Sequence, residues 1–151
     1  MRACFILADM VLNGHLYTTF KTTLSFPSAL ALASTQAYNG LTGHLVTMSD
    51  VAELVFVFES PMQDVWLGIS DKSREGYWSF VSGPESGLAS PPIFWAEGEP
   101  GGGTAENCAD SSRYIIRDLN CDSNTRNVAI EFECNVPYGA ADVSSCPCKC
   151  A

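Results

Sequence analysis

The sequence predicts an α+β domain, on three observations. Two stretches in the first 60 residues have helical character, β-type stretches dominate from Val65 onward, and a Ser/Gly/Pro-rich excursion interrupts those strands. The 151 residues suit one domain with a real hydrophobic core.

Taken in order, Leu16 to Thr22 is β-branched and aromatic, which is strand composition. A helix is expected over 25–38. Ser25 stands where a cap belongs, Pro27 falls in the first turn, and Ala29, Leu30, Leu32, Ala33 and Ala37 supply an apolar face. Asn39-Gly40 is read as its end. An extended piece, His44 to Met48, leads to a second helix opened by Ser49-Asp50-Val51-Ala52-Glu53, with Asp50 and Glu53 spaced as in a capping box. That helix is expected to end near Glu59-Ser60-Pro61, although Leu54 to Phe58 is β-rich in composition.

Val65-Trp66-Leu67-Gly68-Ile69 reads as a buried strand, Ser70 to Gly76 as a turn, and Tyr77 to Val81 as an alternating strand. Ser82 to Pro92 is a loop that resumes past Trp95 through Ala96 to Thr104. Two further strands are expected at 113–117 and 127–132, followed by a Gly/Ser/Cys-rich tail from Asn135.

The net charge of -9 argues against nucleic acid and against anionic membrane surfaces, since both repel an acidic protein. It suits cations, basic partners or neutral ligands such as sugars. No apolar run approaches the roughly 20 residues of a membrane span. Met1 to Ala8 resembles the start of a signal peptide, but Asp9 cuts the apolar region, so residues 1–13 are read as a first strand or a remnant segment. Seven cysteines, six of them in the last third, favour an oxidising, extracellular or secretory setting. The odd count leaves at least one without a partner in this chain.

Chemistry concentrates between Trp95 and Cys121. Glu99, Glu106 and Asp118 flank a Pro-Gly-rich loop, and carboxylates converging there would call for a hard cation, an arginine or a bound partner. The competing reading is a solvated acidic loop or an ion-pair network with Arg117. Glu97 and Glu99 lack the fixed spacing across a cleft that a glycosidase pair needs. Asp118 to Asp122 imitates the start of an EF-hand loop, but Ser123 and Ala129 replace its glycine and final glutamate. His15 and His44 have no cysteine at metal spacing and are expected to pack. Cys146-Pro147-Cys148-Lys149-Cys150 could hold zinc, although a disulfide-bonded tail is the plainer reading. No nucleophile arrangement is visible, so no enzymatic activity is expected.

The ordered set of motifs resembles the C-type lectin-like domain over nearly all of residues 14–133. It comprises Gly43-His44-Leu45, Trp66-Leu67-Gly68-Ile69, Glu75-Gly76-Tyr77-Trp78 with Phe80, and Trp95 before Gly98-Glu99-Pro100. It continues with Glu106-Asn107-Cys108, Asp118 three residues before Cys121, and Ala129-Ile130-Glu131-Phe132. The resemblance implies a double-looped fold, two helices flanking two small antiparallel sheets, over residues 14–134, with 135–151 as a Cys-rich tail. It implies a Cys108–Cys121 bridge, calcium held by Glu99, Glu106 and Asp118, and Pro100 at the family's usual cis proline. A glycan or glycoprotein ligand would then bind at Glu99, Glu106, Asp118 and Arg117.

The departures are specific. Gly101 and Arg117 stand where the family has Asn, Ile116 stands for a Trp, and Asn39 and Ile130 stand for the cysteines of the outer bridge. Cys134 is then left to pair with Cys4, Cys146, Cys148 or Cys150. Trp66, Trp78 and Trp95 fall at core positions, and Tyr114 is a less constrained aromatic. Two functions follow: calcium-dependent carbohydrate binding, or a calcium-free protein-interaction or adhesion module in which Arg117 neutralises the acidic cluster.

Overall fold

A computed structural model of the chain describes residues 10–12, 14–38, 40–59, 63–91 and 93–133. The expectations for Cys4, Asn39, Pro61, Cys134 and the tail cysteines lie outside them. Strands β1 (Met10–Leu12), β2 (His15–Leu24), β3 (Ala37–Tyr38), β4 (Leu41–Thr42) and β5 (His44–Leu45) come first, with helix α1 (Phe26–Thr35) after β2. Helix α2 (Val51–Glu59), β6 (Val65–Ser70), β7 (Ser79–Phe80), β8 (Cys108–Ser112), β9 (Ile115–Leu119) and β10 (Arg126–Glu133) complete the order.

The main sheet runs β1-β2-β10-β6-β8-β9, with β5 added to β10 and β7 to β6; β3 and β4 form a separate hairpin. Its centre is the long antiparallel pairing of β2 with β10, in register through Tyr17 opposite Glu131. The single parallel step is Asn127 beside Val65. Alternation along the strands sends successive side chains to opposite faces, and each face carries its own core. One holds Leu16, Trp66, Val128, Ile130 and Phe132 against Phe26, Ala29 and Ala33 of α1. The other holds Tyr17, Leu67, Ile69, Ala109 and Ile116 with Val57 of α2.

Both helices form where the local signals put them, with differences in detail. Ser25 precedes α1 but its side chain caps nothing; its hydroxyl meets that of Ser28 at 3.1 Å. The helix stops at Thr35 rather than Tyr38, because Gln36 turns extended and Ala37-Tyr38 pair with Leu41-Thr42. Gly40, at φ +83, precedes the second strand of that hairpin, a position such a glycine serves as well as a helix stop. In α2, Asp50 Oδ1 accepts the Glu53 N–H at 2.9 Å. Glu53 Oε2 accepts both the N–H and the hydroxyl of Ser49 at 2.7 Å. This reciprocal cap, together with Val57 and Glu53 turned inward, outweighs the β-rich composition.

Two strand expectations need correction. Tyr77 to Val81 yields only β7, since pairing with β6 lasts two residues, Ile69 with Phe80 and Ser70 with Ser79. The strand placed at 113–117 is instead a hairpin. Strand β8 was missed, β9 begins at Ile115, and Arg113-Tyr114 form the turn, both at positive φ (47 and 69). Neither residue is a usual occupant of that conformation, which is why the turn left no sequence signal. No helix among the described residues is long and apolar enough to cross a membrane.

Candidate functional site

The long excursion is tied to β9 at several points. Trp95 forms a parallel bridge with Ile116, and the Ala96 N–H donates to the Ile116 carbonyl at 2.9 Å. Trp95 also packs on Trp78, ring centroids 4.7 Å apart, and both lean on the α2-side core. A tight turn then brings the Glu99 N–H onto the Ala96 carbonyl, with Gly98 at φ +85, and the Glu99–Pro100 bond is cis. Glu99 and Pro100 thus lie between two points fastened to β9, Ala96 at Ile116 and Gly101 at Asp118.

Asp118 is the anchor. It is buried on β9, and both of its oxygens receive the Gly101 N–H, at 2.9 and 3.0 Å; Oδ2 also receives the Gly102 N–H at 3.3 Å. The N–H groups of these glycines thus hold a carboxylate. Glu99 comes to the same place. Its carboxyl hydrogen-bonds Asp118, and that contact, burial and the charges of Asp118 and Glu106 push its pKa up to about 7. Two carboxyls from separate segments thus stand side by side, repelling one another unless a proton or a cation sits between them.

Glu106 is placed differently. Its side chain folds against Gly102, where an added Cβ would lie 2.1 Å from Oε2. Glu99, Glu106 and Asp118 are not, as a trio, within the 4.8 Å spacing that a shared ion would give their oxygens; among the described residues that spacing belongs to His15, Glu53 and Glu131. Glu99 and Asp118 are therefore the joined pair, and Glu106 acts on them through its charge. Asn107 and Asn120, close in sequence, brace the loop by donating to the carbonyls of Thr104 and Ala105, both at 2.9 Å.

Cys108 and Cys121 are disulfide-bonded, Cα atoms 5.3 Å apart, joining the start of β8 to the turn after β9. The Phe26 N–H donates to the Cys121 carbonyl at 3.0 Å, so the bridge is fixed to the first turn of α1 as well.

Arg117 points away from the loop carboxylates. Strand alternation puts it on the face opposite Asp118, directly across from Asp110 in the β8–β9 register. Its Nε donates to Asp110 Oδ1 at 3.1 Å and its Nη2 to Oδ2 at 2.6 Å. Arg126 adds a third bond, Nε to Asp110 Oδ2 at 2.5 Å. The guanidinium does not plug the gap between Glu99 and Asp118, although its charge offsets part of the upward push on Glu99. Asp110, fully buried, is a residue that sequence reading passed over. Its signal was the spacing of two strands that had not been delimited.

A second polar cluster also escaped the sequence reading. His15 Nδ1 lies 2.5 Å from Glu131 Oε1 and 3.2 Å from Glu53 Oε1, and its Nε2 lies 3.1 Å from Glu133. Glu131, fully buried, also receives the Tyr17 hydroxyl at 3.0 Å and the N–H and hydroxyl of Thr47 at 2.9 and 3.0 Å. Hydrogen bonds to Glu131 and Glu53 raise the His15 pKa to about 10. Burial pushes the Glu53 carboxyl up, but bonds from His15 and Ser49 outweigh it and leave the pKa below its ordinary value. The available signal was a glutamate in the apolar run Ala129-Ile130-Glu131-Phe132, because a buried carboxylate requires partners.

No protein-family model matches the chain. Over 68 residues it is 37% identical to the hepatic lectin of Gallus gallus, covering 44% of this chain and 32% of that protein. The fold superposes on the C-type lectin CEL-I from Cucumaria echinata with TM-score 0.69 and 20% identity, covering 83% of this chain and 95% of that one. The chain has the C-type lectin-like fold. The same fold occurs in a calcium-independent type II antifreeze protein, at TM-score 0.67 and 17% identity, covering 82% of this chain and 89% of that one. The chain spans less than half the length of the curated relatives it matches, from 1% to 48%.

Proposed function

We propose that the domain binds carbohydrate at the loop between Trp95 and Cys121, through a calcium ion held by Glu99 and Asp118, with Glu106 as a third donor whose side chain would have to leave its place against Gly102. The observation that carries this reading is the meeting of the Glu99 carboxyl, from the loop, with that of Asp118 on β9. Hard carboxylate oxygens on a braced surface loop are the donor chemistry that calcium takes. The ion, when bound, would supply positive charge on which adjacent sugar hydroxyls can be held. The chain's own part is to keep the loop rigid, through the disulfide and the two asparagine braces, and to present Glu99 and Glu106 as hydrogen-bond acceptors for those hydroxyls. A glycan or glycoprotein partner met outside the cell suits the acidic surface and the disulfide.

The test is titration calorimetry with calcium chloride, alongside a glycan array run with and without chelator. Heat of binding that disappears in Glu99→Gln, with chelator-sensitive glycan signals, supports the reading. A second reading, a calcium-independent protein-interaction module, is favoured by the seating of Asp118 on Gly101 and Gly102, since backbone N–H groups already satisfy that carboxylate without an ion. Absence of calcium heat and chelator-resistant binding would select it.

A further inference from the structure

On the far side of β9 from the loop carboxylates lies a cleft of about 610 Å³ whose wall includes Arg113, Arg117, Arg126, Asp64 and Ser112. In a chain of net charge -9 with eight Lys and Arg in all, three arginines meet there. We infer that this cleft is a second binding site, for an oxyanion, either a sulfate ester or a carboxylate; that it is carried on a saccharide rests on the carbohydrate-binding reading above.

The arginines are held in place before any ligand arrives. Arg117 spends Nε and Nη2 on Asp110, and Arg126 spends Nε on Asp110 and Nη1 on the Thr125 carbonyl. Each keeps one terminal nitrogen free of those bonds. Arg126 is steadied further by lying over the Trp66 ring, 5.9 Å from its centroid. One fully buried carboxylate thus orients two guanidiniums and leaves a surplus positive charge. Arg113 is exposed and has no ion pair among the described residues. Asp64, the other carboxylate of the wall, accepts the Ser112 hydroxyl. The formal sum over Arg113, Arg117, Arg126, Asp64 and Asp110 is +1 on a strongly acidic protein. Guanidiniums in fixed orientation are the donors that planar or tetrahedral oxyanions take.

The backbone points to the same place. Among the described residues, the non-glycine residues with positive φ are Asp64, Arg113 and Tyr114; two of them line this cleft and the third adjoins Arg113. Such conformations cluster at functional sites.

The experiment is NMR of the arginine Nε–Hε groups during titration with glucose 6-sulfate and, separately, glucuronate. Glucose and sodium chloride at matched ionic strength serve as controls. Arg113→Asn is the test variant, because Asn tolerates the left-handed turn conformation. Expected are saturable shifts at Arg113, Arg117 and Arg126 with at least one of the two acids, the one that acts identifying the oxyanion. Affinity should fall about tenfold in R113N, the loss of one charge-assisted contact. Glu99→Gln should leave those shifts intact, which separates this cleft from the calcium reading. The inference is overturned if sodium chloride reproduces the shifts, if neither acid saturates, if R113N binds as tightly as the parent, or if E99Q abolishes the response.

Discussion

Replacing His15 with alanine removes the cation that three glutamates share. The imidazole stands 2.5 Å from Glu131 and 3.2 Å from Glu53, whose side chains are 0% and 3% exposed. Truncating one member of a buried ion pair costs about 3–5 kcal/mol, because the remaining charge is stranded. Glu131 keeps Tyr17 and Thr47, and Glu53 keeps Ser49, so the lower end, about 3 kcal/mol, applies. In a domain of this size that corresponds to a melting temperature about 6–12 °C lower. The pH dependence has a definite sign. With the folded pKa near 10 and the ordinary value at 6.5, the histidine's contribution is complete below pH 6.5 and erodes as pH rises toward 10. Glu53, with its pKa depressed below 4.5, contributes above that value and loses its share as pH falls through its folded pKa. Parent stability should therefore plateau between about pH 4.5 and 6.5. Thermal melts followed by circular dichroism at pH 6, 8 and 10 measure the gap between parent and H15A. The gap should be widest at pH 6 and narrow at pH 10. A gap under about 2 °C at pH 6, or one that does not change with pH, refutes the reasoning.

Gly102→Ala keeps an ordinary backbone (φ -76) but sets a Cβ 2.1 Å from Glu106 Oε2 and 2.3 Å from its Cγ. The Glu106 Cβ is also only 2.5 Å from that position, so the loop must shift; with Glu106 as third calcium donor, calorimetry should show about a tenfold loss of calcium affinity, together with a lowered melting temperature. Gly43→Ala places a Cβ 2.6 Å from Ile130 Cγ2 and 2.9 Å from Phe132 Cε1. Urea denaturation should report about 1–3 kcal/mol of destabilisation from overpacking. The Cys108→Ala/Cys121→Ala double variant opens a crosslink of sequence separation 13 and should lose about 3 kcal/mol in the same assay. A much smaller loss would mean that the loop braces alone hold that end of the sheet.

Much of the site was legible because its signals are local and carried by residue type. Pro100 among glycines, Glu106 two residues before Cys108 and Asp118 three before Cys121 mark the loop whatever the strand boundaries are. The pairing of Glu99 with Asp118 needed more, since it depends on where the loop meets β9. Arg117 shows the limit plainly. Beside Asp118 in sequence, it belongs to the other face of the strand, and its partner Asp110 lies seven positions away across a hairpin. A strand's alternation is simple, but it can be used only once its ends are known, and the Arg113-Tyr114 turn hid them.

Composition and spacing by themselves determined an α+β chain with two helices, an acidic Pro-Gly-rich loop and a strongly anionic surface, because those properties live in residue type and local period. Tertiary structure alone decided where α1 gives way to a hairpin, which face each arginine joins, and that a histidine from β2 neutralises glutamates from α2 and β10. Those outcomes depend on pairings between segments up to 116 positions apart. Their energies come from desolvating and matching charges that only the folded chain brings into contact.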